Sequence, residues 1–126
     1  MTDASKLTEL QLAILRVFWA RGKATVPEVF RALWDERGLA QSTVATLVTR
    51  LEKRGLLARE GDARQYLYHA TVSEDDVRRS MVAEMTHLLF GGDAAALVSH
   101  LVEHRELGRR EMEQVRALLS QMEDDA

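Results

Sequence analysis

The sequence contains no cysteine among its 126 residues. This absence excludes disulfide bonds, thiolate zinc sites, iron–sulfur ligation and cysteine nucleophiles. The sequence also lacks an apolar run of the ~18 residues that a spanning helix requires, and its first residues lack the basic and apolar segments of a secretory signal. We therefore expect a cytoplasmic protein without membrane insertion. Neither a phosphate-binding glycine pattern nor a Ser/His/Asp arrangement occurs, so we expect no enzyme activity and no cofactor.

Positive charge is in the minority, with 17 Lys and Arg against 20 Asp and Glu. The net charge of −3 by itself argues against a nucleic-acid partner, which requires clustered basic residues. The charge is unevenly distributed, however. Residues 1–72 hold 11 basic and 8 acidic residues, and residues 73–126 hold 6 basic and 12 acidic residues. We predict two domains with this boundary.

Helix signals in residues 1–72 occur in a definite order. Thr8 with Gln11 and Thr25 with Glu28 have the capping-box pattern of a helix start. Glycines end the apolar periodicity of all three predicted helices, at Gly22, Gly38 and Gly55. Two β-prone runs follow, LLARE and QYLYHA, separated by Gly61-Asp62-Ala63-Arg64, which fits a hairpin. Three helices and a hairpin predict a winged helix-turn-helix domain in a mainly α protein.

The outward face of the third helix has an unusual composition. No acidic residue occurs from Gly38 through Leu51. Exposed helix faces are usually rich in Glu and Lys, whereas this face collects threonines that lower helix propensity. Hydroxyl and amide side chains can contact base edges, and an arginine can bond guanine through two nitrogens. We therefore predict that the helix from Gln41 to Arg54 reads a major groove. Its outward positions are Gln41, Ser42, Thr43, Thr46, Thr49 and Arg50.

Further candidates for DNA contact flank this helix. Lys53 and Arg54 close it, and Arg64 lies at the hairpin tip with Tyr66 beside it, where contact with phosphate or the minor groove is reasonable. For Arg59, a solvent-facing role is an equally good interpretation. Tyr66 and Tyr68 alternate with Leu67, so we expect one tyrosine in the core and the other to face outward.

Residues 73–126 predict amphipathic helices without a core of their own. Ser73 opens a helix with acidic residues in its first turn, and Gly91-Gly92-Asp93 ends it and caps the next. A unit this small cannot easily form a core of its own, so its apolar helix faces are more readily buried against a second copy of the chain. We therefore predict a homodimer. The expected contact residues are Met81, Met85, Leu88, Leu97, Leu101, Val115 and Leu118.

A short motif in this second half resembles a zinc site. His100, Glu103 and His104 match H-x-x-E-H, in which two histidines hold zinc and a carboxylate activates water. A third ligand, a cleft and a supporting scaffold are missing from the pattern, so we predict no metal site. A regulatory metal on the two histidines is a weaker alternative.

The chain resembles the BlaI/MecI/CopY family of bacterial repressors. The resemblance is carried by three runs: LTELQLAILRVFWARGKATVPEVFRAL, STVATLVTRLEKRGLL and LFGGDAAALVSHLVE. The resemblance extends from Leu7 to about Met122. It implies a winged-helix domain and a helical dimerisation domain, with the dimer on a dyad-symmetric operator that controls resistance or stress genes. It also implies that Thr43, Thr46 and Arg50 read DNA. A membrane-bound sensor peptidase is a further partner that the resemblance implies.

The sequence departs from this family at four places. The cysteine cluster of copper-responsive members is missing. His100-Leu101 stands where β-lactam-responsive members are cleaved at an Asn-Phe bond. It is the candidate cleavage region, although neither residue of the cleaved pair is kept. Ala40 replaces the serine that caps the reading helix, which leaves Ser42 or Gln41 to share the capping. Gly108 replaces the hydroxyl cap of the last helix.

The acidic balance keeps one alternative function open. A winged-helix module whose third helix contacts protein instead of DNA would tolerate the net charge of −3. A stable protein complex without DNA would distinguish this module from a repressor.

Overall fold

A computed structural model describes residues 4, 6–62 and 64–125. The elements are, in chain order, α1 (Glu9–Arg21), β1 (Lys23–Ala24), α2 (Val26–Arg37), α3 (Gln41–Lys53), β2 (Leu57–Asp62), β3 (Gln65–Ala70), α4 (Glu74–Phe90), α5 (Ala94–Glu103) and α6 (Arg109–Asp125). The predicted order of three helices and a hairpin is confirmed. Ala63, part of the predicted hairpin turn, lies outside the described residues.

The predicted capping boxes set the starts of α1 and α2. The Thr8 hydroxyl accepts a hydrogen bond from the Gln11 backbone N–H at 3.1 Å, and the Gln11 side chain accepts one from the Thr8 N–H at 3.0 Å. Thr25 and Glu28 form the same pair of bonds. These side chains satisfy backbone amides that have no partner within the helix.

A three-stranded antiparallel sheet has the order β1-β3-β2. Tyr68 on the central strand pairs with Ala24 on one side and with Arg59 on the other. The hairpin of β2 and β3 is the predicted one, but β1 was missed. A strand of two residues is too short to display an alternating pattern.

One apolar core holds the winged-helix elements together. Each of α1, α2 and α3 contributes fully or nearly fully buried side chains, and Leu56, Leu57 and Tyr68 add the contribution of the hairpin. The Trp19 indole N–H donates to the Val72 carbonyl at 2.9 Å, which fastens α1 to the chain just after β3. The core therefore fixes one side of α3 and leaves its other side accessible.

The predicted apolar face of α2 is only partly buried. The apolar periodicity of this helix predicts that Val29, Phe30, Leu33 and Trp34 share one buried face. Val29 and Leu33 lie in the core, but Trp34 is 53% exposed. The Trp34 ring contacts Phe30 at a centroid distance of 5.5 Å. Phe30 itself is partly buried against the core, so Trp34 extends past the edge of the core along its own helix.

The chain divides into two compact units within α4, between Glu84 and Met85. The predicted boundary lies at residue 72/73, but Val77 is buried in the winged-helix core and Met81 packs against it. The first turns of α4 therefore belong to the first unit. In the second unit, α5 and α6 contain no buried residue.

Within the described part of the chain, no single helix is long and apolar enough to cross a membrane. Helices α4 and α5 reach that length and composition only as a pair, across a bend of 80°.

Candidate nucleic-acid interface

Helix α3 has one buried side and one exposed side. Val44, Val48 and Leu51 are fully buried. The residues predicted to read DNA lie on the remaining surface, and all except the half-buried Arg54 and Tyr66 are exposed: Gln41, Ser42, Thr43, Thr46, Arg50, Lys53 and Arg64. With 3.6 residues per turn, Ser42, Thr46, Thr49 and Lys53 fall opposite the buried side chains.

Two threonines on this exposed side bond to their own helix. The Thr46 hydroxyl donates to the Ser42 carbonyl at 3.0 Å, and the Thr49 hydroxyl donates to the Ala45 carbonyl at 2.9 Å. A threonine hydroxyl has a single proton. Neither side chain in this state can donate a second hydrogen bond outward.

The N-terminus of α3 has no side-chain cap. The Ala40 carbonyl accepts from the Thr43 and Val44 amides, both at 3.1 Å, but Ala40 has no side-chain acceptor. Among the described residues no side-chain hydrogen bond caps this helix start, so the expectation that Ser42 or Gln41 shares the capping is wrong. Because the Thr43 and Val44 amides are bonded to Ala40, only the amides before Thr43 are left to bond water or a phosphate oxygen.

Arg59 connects the hairpin to α3. Its Nε lies 3.2 Å from the Glu52 carboxylate, and its guanidinium carbon lies 4.2 Å above the centre of the Tyr66 ring. This pairing offsets the charge of Glu52, the acidic residue near the end of α3. Arg59 is therefore held by contacts within the protein, which favours the structural interpretation of this residue.

Tyr66 and Tyr68 lie on the same face of β3, with ring centroids 6.4 Å apart. Residues two apart in a strand point to the same side, so the expectation that they face opposite ways was wrong. Tyr68 is buried in the core, as predicted for one of the two, and Tyr66 is half-buried beside it.

A concavity brings several predicted residues together. It encloses about 310 Å³ between the start of α2, the start of α3 and the hairpin. Gln41, Arg64 and Tyr66 line it, and Thr25, Pro27 and Gln65 are lining residues that the sequence analysis did not select. Thr25 and Pro27 are distant from α3 along the chain, and only the packing of the elements brings them to its start; Gln65 lies between Arg64 and Tyr66, and that position was its one signal.

The hairpin carries both signs of charge. Arg64 is exposed, and its backbone N–H donates to the Asp62 carboxylate at 3.0 Å. Glu60 pairs with Lys23 at 2.6 Å, and the hydrogen bond from Lys23 holds the pKa of the Glu60 carboxyl below its ordinary value. Arg64 is therefore an exposed cation at the hairpin tip beside Asp62, and Glu60 is already paired.

The two histidines of the H-x-x-E-H motif lie close together at the end of α5. Their ring centroids are 4.4 Å apart, and His100 Nε2 lies 3.8 Å from a Glu106 oxygen. Among residues 4, 6–62 and 64–125, no group of three or more His, Cys, Asp or Glu side chains is arranged to hold a metal ion.

The residues predicted to form a dimer differ in their surroundings. Met85, Leu88 and Leu118 are exposed, whereas Leu97, Leu101 and Val115 are half-buried. Met81 is half-buried against the winged-helix core.

Gly108 lacks the hydroxyl cap, but its N–H donates to the Glu111 side chain at 2.9 Å, so half of a capping box is kept at α6.

The core, sheet and exposed third helix define a winged-helix protein. Residues 7–121 match the family model described as penicillinase repressor. The chain belongs to the penicillinase repressor family, and the resemblance to BlaI and MecI repressors is confirmed.

Individual relatives match over most of their length. The chain is 30% identical to the transcriptional regulator BlaI of Mycobacterium tuberculosis, over 98% of this chain and 89% of the relative. It is 26% identical to the penicillinase repressor of Staphylococcus aureus, over 93% and 95%. The solution structure of the DNA-binding domain of the repressor BlaI superposes with a TM-score of 0.54 at 24% identity, over 60% of this chain and 93% of that domain. This structural likeness supports the winged-helix fold.

Proposed function

We propose that this protein is a DNA-binding transcriptional repressor that inserts α3 into the major groove of an operator. The observation that carries the proposal is the exposed face of α3, which has no acidic residue and faces away from a fully buried apolar side. One relative is named as a penicillinase repressor and another as a transcriptional regulator, which supports the same assignment.

Arg50 is the side chain on this face best suited to discriminate bases. It is exposed and lies one turn beyond Thr46. A bidentate contact from arginine to guanine contributes about 1–3 kcal/mol of discrimination. Lys53 and Arg64 have the charge and exposure for phosphate contacts, which position a protein without reading sequence.

The test begins with footprinting on DNA that flanks the protein's own gene. We expect protected half-sites separated by a multiple of ~10 base pairs. Arg50→Ala should weaken binding to the protected site about 5- to 150-fold, and affinity should fall steeply with salt as counterions are released. Arg16→Ala removes the same charge from an exposed position of α1 and serves as the matched control.

Two results would overturn the assignment. Equal effects of Arg50→Ala and Arg16→Ala would show that α3 does not read DNA. A stable complex with another protein, combined with a flat salt response and no footprint, would instead support the interaction module.

The second part of the proposal is that the protein acts as a homodimer on a dyad-symmetric operator. Support comes from the second unit, where α5 and α6 bury no residue and Leu88, Leu118 and Met122 are 60–71% exposed. A monomer seldom leaves so many apolar side chains in water. Two copies of one unit on a two-fold axis would match two operator half-sites.

The target genes and the inducing mechanism form the third part. We propose that the repressor acts in the cytoplasm on resistance or stress genes, and that a membrane-bound sensor peptidase is a candidate partner. The His100-Leu101 bond lies inside α5, and the His100 carbonyl accepts from the His104 amide at 3.1 Å. Cleavage there would require this last turn to open.

Mass spectrometry of the protein recovered from inducer-treated cells tests proteolytic induction. A fragment ending at His100 would support it. Intact protein in cells that nevertheless express the regulated genes would contradict it.

A further inference from the structure

Thr46 and Thr49 present methyl groups, not hydroxyl donors, to whatever approaches α3. Both hydroxyl protons are donated to carbonyls four residues earlier, at 3.0 and 2.9 Å. What remains directed away from the backbone is each γ-methyl group and the oxygen lone pairs. Both residues are exposed.

The two methyl groups lie on the side of α3 that would enter a groove. Thr46 and Thr49 are opposite the buried Val44 and Val48. Side chains three residues apart on a helix are neighbours, with about 5–6 Å between their Cβ atoms. Together they form a small apolar surface next to Arg50, which is also exposed.

Helix stability does not account for these two residues. Threonine has lower helix propensity than the residues common on solvated faces, and its bond to the i−4 carbonyl slightly destabilises a helix. No buried neighbour accounts for them either, because both are exposed. A binding partner that contacts the methyl groups does explain why threonine occupies these two exposed positions.

Among major-groove edges, only thymine offers a methyl group. Guanine presents two acceptors, which require donors that Thr46 and Thr49 have already committed to the helix. Adenine and cytosine offer amino donors to the remaining lone pairs but nothing that matches the two methyl groups. We infer that Thr46 and Thr49 select thymine by contact with its C5-methyl group, while Arg50 supplies the polar readout. This inference rests on the proposed DNA binding and specifies which base the helix favours.

The experiment uses a duplex recovered by selection from a randomised DNA library with the full-length protein. Each thymine of the recovered half-site is replaced in turn by deoxyuridine, which lacks only the C5-methyl group. Replacement at a contacted position should weaken binding about three- to fivefold per half-site, the equivalent of one buried methyl group. Deoxyuridine outside the half-site is the control substitution.

Two variants at each position separate the methyl group from the hydroxyl. Thr46→Ser keeps the hydroxyl and its bond to Ser42 but removes the methyl group, so the penalty for deoxyuridine should disappear at one thymine. Thr46→Val keeps a methyl group and removes the hydroxyl, so the penalty should persist. Thr49→Ser and Thr49→Val should behave in the same way at a neighbouring thymine. Circular dichroism verifies that each variant is folded.

The possible failures are distinguishable. Methyl recognition is overturned if the protein recovers DNA but no deoxyuridine replacement lowers the affinity. It is also overturned if Thr46→Val and Thr49→Val abolish the penalty for deoxyuridine while the serine variants keep it. In both cases DNA binding stands. If no duplex is recovered and binding does not depend on salt, the proposed function fails and this inference fails with it.

Discussion

At the scale of single residues, conformation and protonation are set by a few local contacts. Gly61 in the hairpin has φ +98°, and a Cβ atom there would lie 3.1 Å from the Gln65 carbonyl oxygen. Glu28 accepts a hydrogen bond from the Thr25 backbone N–H at 2.9 Å and pairs with Arg21 at 2.8 Å. Each of these two sites leads to a testable prediction about the free energy of unfolding.

Gly61→Ala should lower the free energy of unfolding by about 1–3 kcal/mol, because an L-residue is strained at this φ and its Cβ would crowd the opposite strand. Urea denaturation followed by circular dichroism measures the change. Gly108→Ala is the control for strain, since Gly108 has no positive φ and its Cβ would meet only the Glu111 side chain at 3.5 Å; its cost is limited to that of a poorer helix cap. Equal effects of the two substitutions would contradict the argument.

Glu28 makes stability depend on pH. The backbone N–H of Thr25, its side chain and Arg21 together hold the pKa of the Glu28 carboxyl below its ordinary value in the folded protein. A lowered folded pKa gives stability that is present above the unfolded pKa and lost as pH falls through the folded one. The difference in unfolding free energy between wild type and Glu28→Gln should therefore shrink as the pH falls from about 5 through the lowered folded pKa of Glu28. A difference that stays constant over this range would contradict the assignment.

At the scale of secondary-structure elements, α3 combines a rigid buried side with a weakly capped start. Its neighbours α1 and α2 begin with complete capping boxes, whereas Ala40 offers only its backbone carbonyl. The winged-helix core therefore contributes more to the position of α3 than the helix start does.

Ala40→Ser supplies the missing acceptor and should raise the free energy of unfolding by about 0.5–2 kcal/mol. Thermal and urea denaturation measure this gain. Ala40→Gly should have a smaller effect, because glycine permits the backbone conformation of a cap without offering a side-chain oxygen. A serine variant no more stable than the glycine variant would show that the helix start is already satisfied in another way.

At the scale of the whole molecule, the apolar side chains that remain exposed determine assembly. Leu118 on α6 is 60% exposed, and Leu119 and Met122 are its exposed neighbours. In the proposed dimer these side chains are covered by the second copy, so a charge at Leu118 would be buried without a partner.

Leu118→Glu should raise the dimer dissociation constant about thirtyfold or more, as expected for an apolar anchor at an interface centre. Analytical ultracentrifugation measures the constant. Ser120→Glu adds the same charge at an exposed position on the polar side of α6 and is the control. A dimer unaffected by Leu118→Glu, or a wild-type protein that is monomeric at micromolar concentration, would count against this interface.

Local patterns in the sequence determined the helix starts, the hairpin and the two sides of α3, because capping hydrogen bonds and helical periodicity involve residues only a few positions apart. The acid-free face was also apparent from the residues alone. Only the tertiary structure decided that Arg59 pairs with Glu52, that Thr25 and Gln65 join Gln41 in one concavity, and that Val77 belongs to the winged-helix core. These contacts join distant parts of the chain, and their geometry depends on how the elements pack, which no short stretch of sequence encodes.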